Sequence, residues 1–173
     1  MMPVISEYLK KKKALKTVLA LCFTEASETF HHWKAFSGDL GGVCVEIEKS
    51  LLVKAIKREK GIKCYSVRYI KMNDLDDNLK RVNDLPFVKR YPYRDEKEFR
   101  IIYVSKSKTM DVKYIPIDLQ MIKRIMFNPW LPKDIFKSVR QMIKLIDNCG
   151  DISVFQTTLI DNERWKGYAN DLA

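Results

Sequence analysis

No cysteine pair in this sequence has the spacing of a metal site. Cys22, Cys44, Cys64 and Cys149 lie far apart, and neither Cys-x-x-Cys nor His-x-x-x-His occurs, so a structural zinc site is not expected. Three of the cysteines sit in apolar, strand-like runs, where cysteine behaves as a small buried hydrophobe. Glycine is scarce too, with 6 in the chain, and Gly41-Gly42 is not followed by the Gly-Lys-Ser/Thr of a phosphate-cradling loop or by dinucleotide-fold spacing. A nucleoside-triphosphatase is not expected on that ground. The histidines, His31 and His32, are neighbours, and on a helix their side chains diverge by about 100° rather than converge on one metal. No Gly-x-Ser-x-Gly elbow is present. The apolar run at 18–23 gives way to Thr24 and Glu25, far short of the ~20 residues a bilayer requires. The first residues lack the basic start and apolar stretch of a secretory signal, and a reducing, cytoplasmic location away from any membrane is the expectation.

What the chain has in abundance is positive charge. Its 173 residues carry 32 Lys and Arg against 22 Asp and Glu, a formal net charge of +10. Such a field favours polyanions through phosphate neutralisation and counterion release. The cations cluster. Lys10, Lys11, Lys12, Lys13 and Lys16 crowd the start, while Lys54, Lys57, Arg58, Lys60, Lys63, Arg68 and Lys71 face only Glu59 within 50–72. Lys123, Arg124, Lys133, Lys137, Arg140 and Lys144 have only Asp134 for company within 119–146. Each cluster taken alone also fits a solvated helix face or a soluble edge strand.

The composition, 46% hydrophobic and 31% charged, is that of a folded globule. The length suits one domain: a basic helix at 1–16, an α/β core at 17–160 and a tail at 161–173. Helices are predicted over 6–15, 27–36, 50–56 and 132–146, with Gly61 closing the third. Strands are predicted over 17–24, 43–47, 62–70, 98–104, 112–117, 122–127 and 152–159, and 73–82 reads as a polar helix or loop. Residues 112–117 read as a hairpin partner of 98–104. The expected class is mixed α+β, a mostly antiparallel or mixed sheet of about six or seven strands with about four helices.

The segment Tyr93-Arg94-Asp95-Glu96-Lys97-Glu98-Phe99-Arg100 carries the most suggestive chemistry. In a strand, side chains alternate with period two, which would put Glu96, Glu98 and Arg100 on one face and Phe99 and Ile101 against the core. Such a face is either an ion-pair lattice tying strands together or a polar site. Paired carboxylates can bind a ribose diol or stabilise an oxocarbenium-like transition state, a use that Arg100 would oppose by holding the carboxylates ionised.

Taken in order, Cys22-Phe23-Thr24-Glu25, then Trp33, then Gly42-Val43-Cys44, then Tyr93-x-x-Glu96-x-Glu98-Phe99-Arg100 resembles the bacterial domain of unknown function 2971 family over about residues 18–146. That family shows a Cys-Phe-Ser-Glu strand, a Met-Trp-x-x-Tyr helix, a His-x-Gly-Val-Cys strand start and a Trp-x-x-Glu-x-Glu-x-Arg strand. Some relatives are abortive-infection proteins, and the resemblance implies a phage-defence setting. Here the helix motif reads His32-Trp33-Lys34-Ala35-Phe36, which loses a phenol, and Leu40 stands in place of the histidine. The family's leading Asn-Asp-Pro-Phe-Glu segment is replaced by the lysine-rich start.

Three functional readings follow. The first is a binding module for nucleic acid or another polyanion, contacted by Lys54, Lys57, Arg58, Lys60, Lys63, Arg68 and Lys71, with Tyr65, Tyr69, Tyr91 or Trp130 stacking on bases. The second is an ADP-ribosyltransferase-like enzyme using NAD, active or degenerate. Its layout of a strand, a helix with Trp33, a strand and a later glutamate strand is loosely similar, with Glu98 on the ribose and Glu96, Arg100 and Trp33 as companions. The third makes Glu96, Glu98 and Arg100 a structural lattice and the chain a subunit that joins a protein partner.

Overall fold

In the computed structural model the described residues are 2–38, 40–75 and 81–171, with side chains described for 6–38, 40–75 and 81–168. The helices are α1 (Met2–Lys13), α2 (Phe30–Phe36), α3 (Lys49–Ile56), α4 (Lys133–Lys144) and α5 (Glu163–Asp171). The strands are β1 (Thr17–Thr24), β2 (Val43–Ile47), β3 (Ile62–Ser66), β4 (Arg68–Ile70), β5 (Val88–Arg90), β6 (Glu98–Ser105), β7 (Ile122–Phe127) and β8 (Ser153–Gln156). The class is mixed α+β, with the strands distributed over three small sheets. Two compact units form, each from two chain segments: Met1–Ser27 with Val53–Pro116, and Glu28–Leu52 with Ile117–Ala173. Among the described residues no helix is long and apolar enough to cross a membrane.

The first unit is built on β6, which pairs antiparallel with β1 along one edge and with β3 along the other. Leu9, Val18, Phe87 and Ile102 form its buried cluster, with Leu15, Val82 and Val104 packed against it. Lys10, Lys11, Lys12 and Lys13 occupy the last turn of α1, where cations complement the helix dipole. Because both edges of β6 are taken, no edge is left for the hairpin partner expected at 112–117. That segment is irregular, and Val112, Tyr114 and Ile117 are exposed, so no apolar face drives it into a sheet. The expected turn before it is fixed another way: the buried Thr17 hydroxyl donates to the Lys108 carbonyl at 2.7 Å and accepts from the Met110 N–H at 3.0 Å.

The single strand expected at 62–70 breaks at Val67, which is buried and whose N–H donates to the Glu98 carbonyl at 2.7 Å. Beyond it the chain leaves the β6 sheet, and β4 pairs in parallel with β5, Arg68 opposite Val88 and Ile70 opposite Arg90. Gly61 precedes β3 rather than capping α3. Its φ of +82° and the 2.6 Å that would separate a Cβ from the Val104 carbonyl both require glycine there. The segment expected at 73–82 lies partly outside the described residues, which show a 3-10 turn at Met72–Asp74.

In the second unit β2 and β7 are antiparallel, while β7 and β8 are parallel neighbours joined through α4, a βαβ crossover. Phe127, Cys149, Ile152 and Val154 are its buried cluster, against which Phe136, Val139 and Ile143 of α4 pack. Two starts differ from expectation. Glu48, not Ser50, caps α3, accepting from the Ser50 N–H at 3.3 Å and hydroxyl at 3.0 Å. Thr29 caps α2 by accepting from the His32 N–H at 3.2 Å. The expected tail contains α5, started by Asn162, whose side chain accepts from the Trp165 N–H at 3.0 Å.

Candidate functional site

Strand pairing brings the 93–100 chemistry to one place in the first unit. In the antiparallel ladder Cys22 and Tyr65 stand on either side of Arg100, and directly opposed residues share a face. Glu98, Arg100 and Ile102 therefore share the face covered by Phe87 and Leu9. The expected division into a polar face and a core face is overturned, because β6 is the central strand and Glu98, Phe99, Arg100 and Ile101 are all buried. Buried charges must be paired and hydrogen-bonded, and these are. Arg100 is 2% exposed; its Nε donates to Glu98 Oε1 at 2.5 Å, Nη2 to Glu98 Oε2 at 2.8 Å and Nη1 to the Pro86 carbonyl at 2.7 Å. The Glu98 N–H donates to the Tyr69 hydroxyl at 2.7 Å.

Glu96 is not part of the strand. Lys97 adopts a left-handed conformation, φ 40°, at the end of the 3-10 turn Tyr91–Glu96, and this takes Glu96 out of the β6 alternation. It joins the cluster through Lys89 instead, whose ammonium donates to Glu96 and lies 3.4 Å from Glu98 Oε2. Burial alone would raise the Glu98 pKa, but Arg100, the Cys22 thiol and Lys89 outweigh it and hold the carboxyl below the ordinary glutamate value. Cys22, an exposed residue overall, turns its thiol onto this pair. Burial first, then the Glu98 carboxylate, push its pKa up to about 11. The expectation of burial for the three strand cysteines fails, since Cys44 and Cys64 are half-buried and Cys22, on the edge strand β1, is exposed, while Cys149, outside those runs, is buried.

Of the two uses open to Glu96, Glu98 and Arg100, the geometry favours the lattice. Both Glu98 oxygens are already engaged, and an ionised, guanidinium-bound carboxylate is poorly placed to receive a ribose diol. Trp33 belongs to the second unit and is no member of this cluster. It is buried, and its Nε1 donates to Glu28 Oε1 at 2.6 Å. Phe36 and Leu40, standing where the resembling family has tyrosine and histidine, are 69% and 50% exposed. The second unit also holds a cleft of about 910 Å³, lined by Glu28, Thr157, Arg164, Trp165 and Tyr168 among others, which takes in none of the residues singled out from sequence. Among the described residues no group of His, Cys, Asp and Glu is placed to hold a metal ion.

Lys54, Lys57, Arg58, Lys60, Lys63, Arg68 and Lys71 are all exposed and all belong to the first unit. Glu59, the acidic residue among them, is taken by Lys113 at 2.8 Å. Parallel pairing of β4 with β5 carries this basic stretch to the Tyr91–Glu96 turn. Lys71 Nζ lies 5.3 Å from the centre of the Tyr91 ring and Arg94 lies 4.6 Å from it, while Lys89 and Arg90 lie 4.7 Å and 5.8 Å from the Tyr93 ring. Sequence reasoning passed over Lys89, Arg90, Tyr93 and Arg94 as binding residues. The signal for them was present, three cations and two tyrosines within six residues, Lys89-Arg90-Tyr91-Pro92-Tyr93-Arg94.

No family model, no curated protein and no solved structure matches the chain.

Proposed function

We propose that the chain binds nucleic acid through the basic surface of its first unit. The observation that carries this reading is that Lys54, Lys57, Arg58, Lys60 and Lys63 are exposed and, among the described residues, paired with no carboxylate. Unneutralised lysines held in one folded unit are what phosphate neutralisation requires, and the released counterions supply the binding free energy. The net charge of +10 adds long-range attraction. The family resemblance supports a bacterial, phage-defence setting for this activity, and four unpaired cysteines fit a reducing cytoplasm. NAD-dependent ADP-ribosyl transfer at Glu98 has less support, because the carboxylate is committed to Arg100 and Lys89.

The test is the triple exchange Lys54→Glu, Lys57→Glu, Lys60→Glu, followed by anisotropy of a labelled oligonucleotide. At about 100 mM salt the triple variant should bind at least ~10-fold more weakly, with its melting temperature close to that of the unaltered chain, since exposed substitutions rarely disturb a fold. Unchanged affinity in a folded triple variant would remove this surface from the function.

A further inference from the structure

Resting on the nucleic-acid reading, we infer that the Tyr91–Glu96 turn is a stacking platform for unpaired bases, and that the ligand is single-stranded rather than duplex nucleic acid. Stacking on a protein aromatic needs an open base face, and inside a duplex both faces are covered by neighbouring pairs. Tyr91 and Tyr93 are 39% and 38% exposed, so part of each residue is open to solvent beside its cations. The two rings form separate positions, each with its own pair of basic neighbours: Lys71 and Arg94 at Tyr91, Lys89 and Arg90 at Tyr93. A base on either ring would therefore have its phosphates beside ammonium and guanidinium groups. The Arg94 plane over Tyr91 extends the stacking surface, because guanidinium planes receive bases as aromatic rings do.

The turn is mounted rigidly. At its start β5 is paired to β4. At its end the Lys97 N–H donates to the Arg94 carbonyl at 3.1 Å, and the Glu25 N–H donates to the Lys97 carbonyl at 2.8 Å. Pro92 fixes the backbone between the two tyrosines. The buried Glu98–Arg100 pair lies directly along the chain, and Glu98 is tied to Lys89, the cation 4.7 Å from the Tyr93 ring centre. A pre-formed platform loses little entropy on binding. The other aromatics considered for this role stand outside the turn, Tyr65 and Tyr69 on β3 and β4 and Trp130 in the second unit. The Tyr69 hydroxyl accepts from Glu98, Tyr65 meets Phe87 edge-on at 4.9 Å, and Trp130, in the second unit, carries Lys34 at 4.1 Å and Phe30 at 5.6 Å.

The experiment compares a fluorescein-labelled mixed-sequence single strand of about 20 nucleotides with its duplex, longer than the 4–16 nucleotides one small domain covers. It uses the full chain and the variants Tyr91→Leu, Tyr93→Leu and Tyr93→Phe. The single strand should bind more tightly than the duplex. Each leucine variant should lose about tenfold on the single strand and little on the duplex, the phenylalanine variant should retain its affinity, and the salt slope should stay unchanged throughout. Ultraviolet cross-linking of the unaltered chain should place the nucleotide on the peptide that contains Tyr91 and Tyr93, which guards against a variant that fails to fold. Equal or tighter duplex binding, or leucine variants that bind the single strand normally, overturns the platform and leaves the basic surface standing. Binding to neither nucleic acid overturns both.

Discussion

Among the described residues of the first unit, Arg100 is the most deeply buried charged side chain. A guanidinium at 2% exposure in the central strand is tolerable because it donates to both Glu98 carboxylate oxygens and to the Pro86 carbonyl. Removing one partner strands the other charge in the core, which costs about 3–5 kcal/mol, whereas replacing both by apolar groups costs far less. Arg100→Met should therefore destabilise the chain by about 3–5 kcal/mol in urea unfolding, and Glu98→Leu added to it should restore much of the loss. An additive double variant would contradict the pairing. The same contact sets an acid limit. Glu98 has a lower pKa folded than unfolded, so its contribution is complete above the unfolded value of about 4.3 and fades as pH falls through the folded one. Urea midpoints at about pH 7, 4 and 3 should show that decline, and Glu98→Gln should flatten it. Cys22 supplies an independent readout. With a pKa of about 11 it holds far less thiolate at neutral pH than an ordinary thiol, so its alkylation should run on the order of a hundredfold slower than that of a cysteine peptide, followed by mass spectrometry of the Cys22 peptide. Fast labelling would show that the thiol is not buried against Glu98.

At the level of elements, legibility followed the strength of the hydrophobic pattern. The bounds of β1, β2 and β7 were readable directly, since 17–24, 43–47 and 122–127 are continuous apolar or alternating runs. What the pattern cannot show is pairing. The irregular course of 112–117 follows from β6 already having two neighbours, and the break at Val67 follows from a bond to Glu98, both properties of the assembled sheet. The helix α5 was missed because it buries no apolar face, leaving Trp165 and Tyr168 exposed, although Asn162-Glu163 is an ordinary helix start. Gly61 gives a test at this scale. An alanine there would adopt a left-handed backbone and press its Cβ against the Val104 carbonyl, so Gly61→Ala should cost about 1–3 kcal/mol, read as a lowered urea midpoint. An unchanged midpoint would mean that β3 and β6 can separate at that end without penalty.

Over the whole chain, the basic surface was the most legible part of the candidate site and its aromatic part the least. Lysines and arginines remain exposed almost wherever the chain puts them, so Lys54 to Lys71 could be named from sequence. That Lys71 meets Tyr91 depends on β4 and β5 pairing in parallel, and no local pattern encodes it. The carboxylates around 93–98 read as a candidate active site for the converse reason: sequence shows their spacing but not that Arg100 and Lys89 neutralise them. Charge balance then supports the proposed polyanion binding by the exposed lysines of this unit. The most direct measurement is the affinity of the full chain for a single-stranded oligonucleotide from about 50 to 200 mM salt. Contact with about four to seven phosphates predicts a slope of about −3 to −5 in log K against log salt, a loss of about a hundredfold or more across the range. A slope near zero, or no binding at the lowest salt, would contradict nucleic-acid binding through this surface.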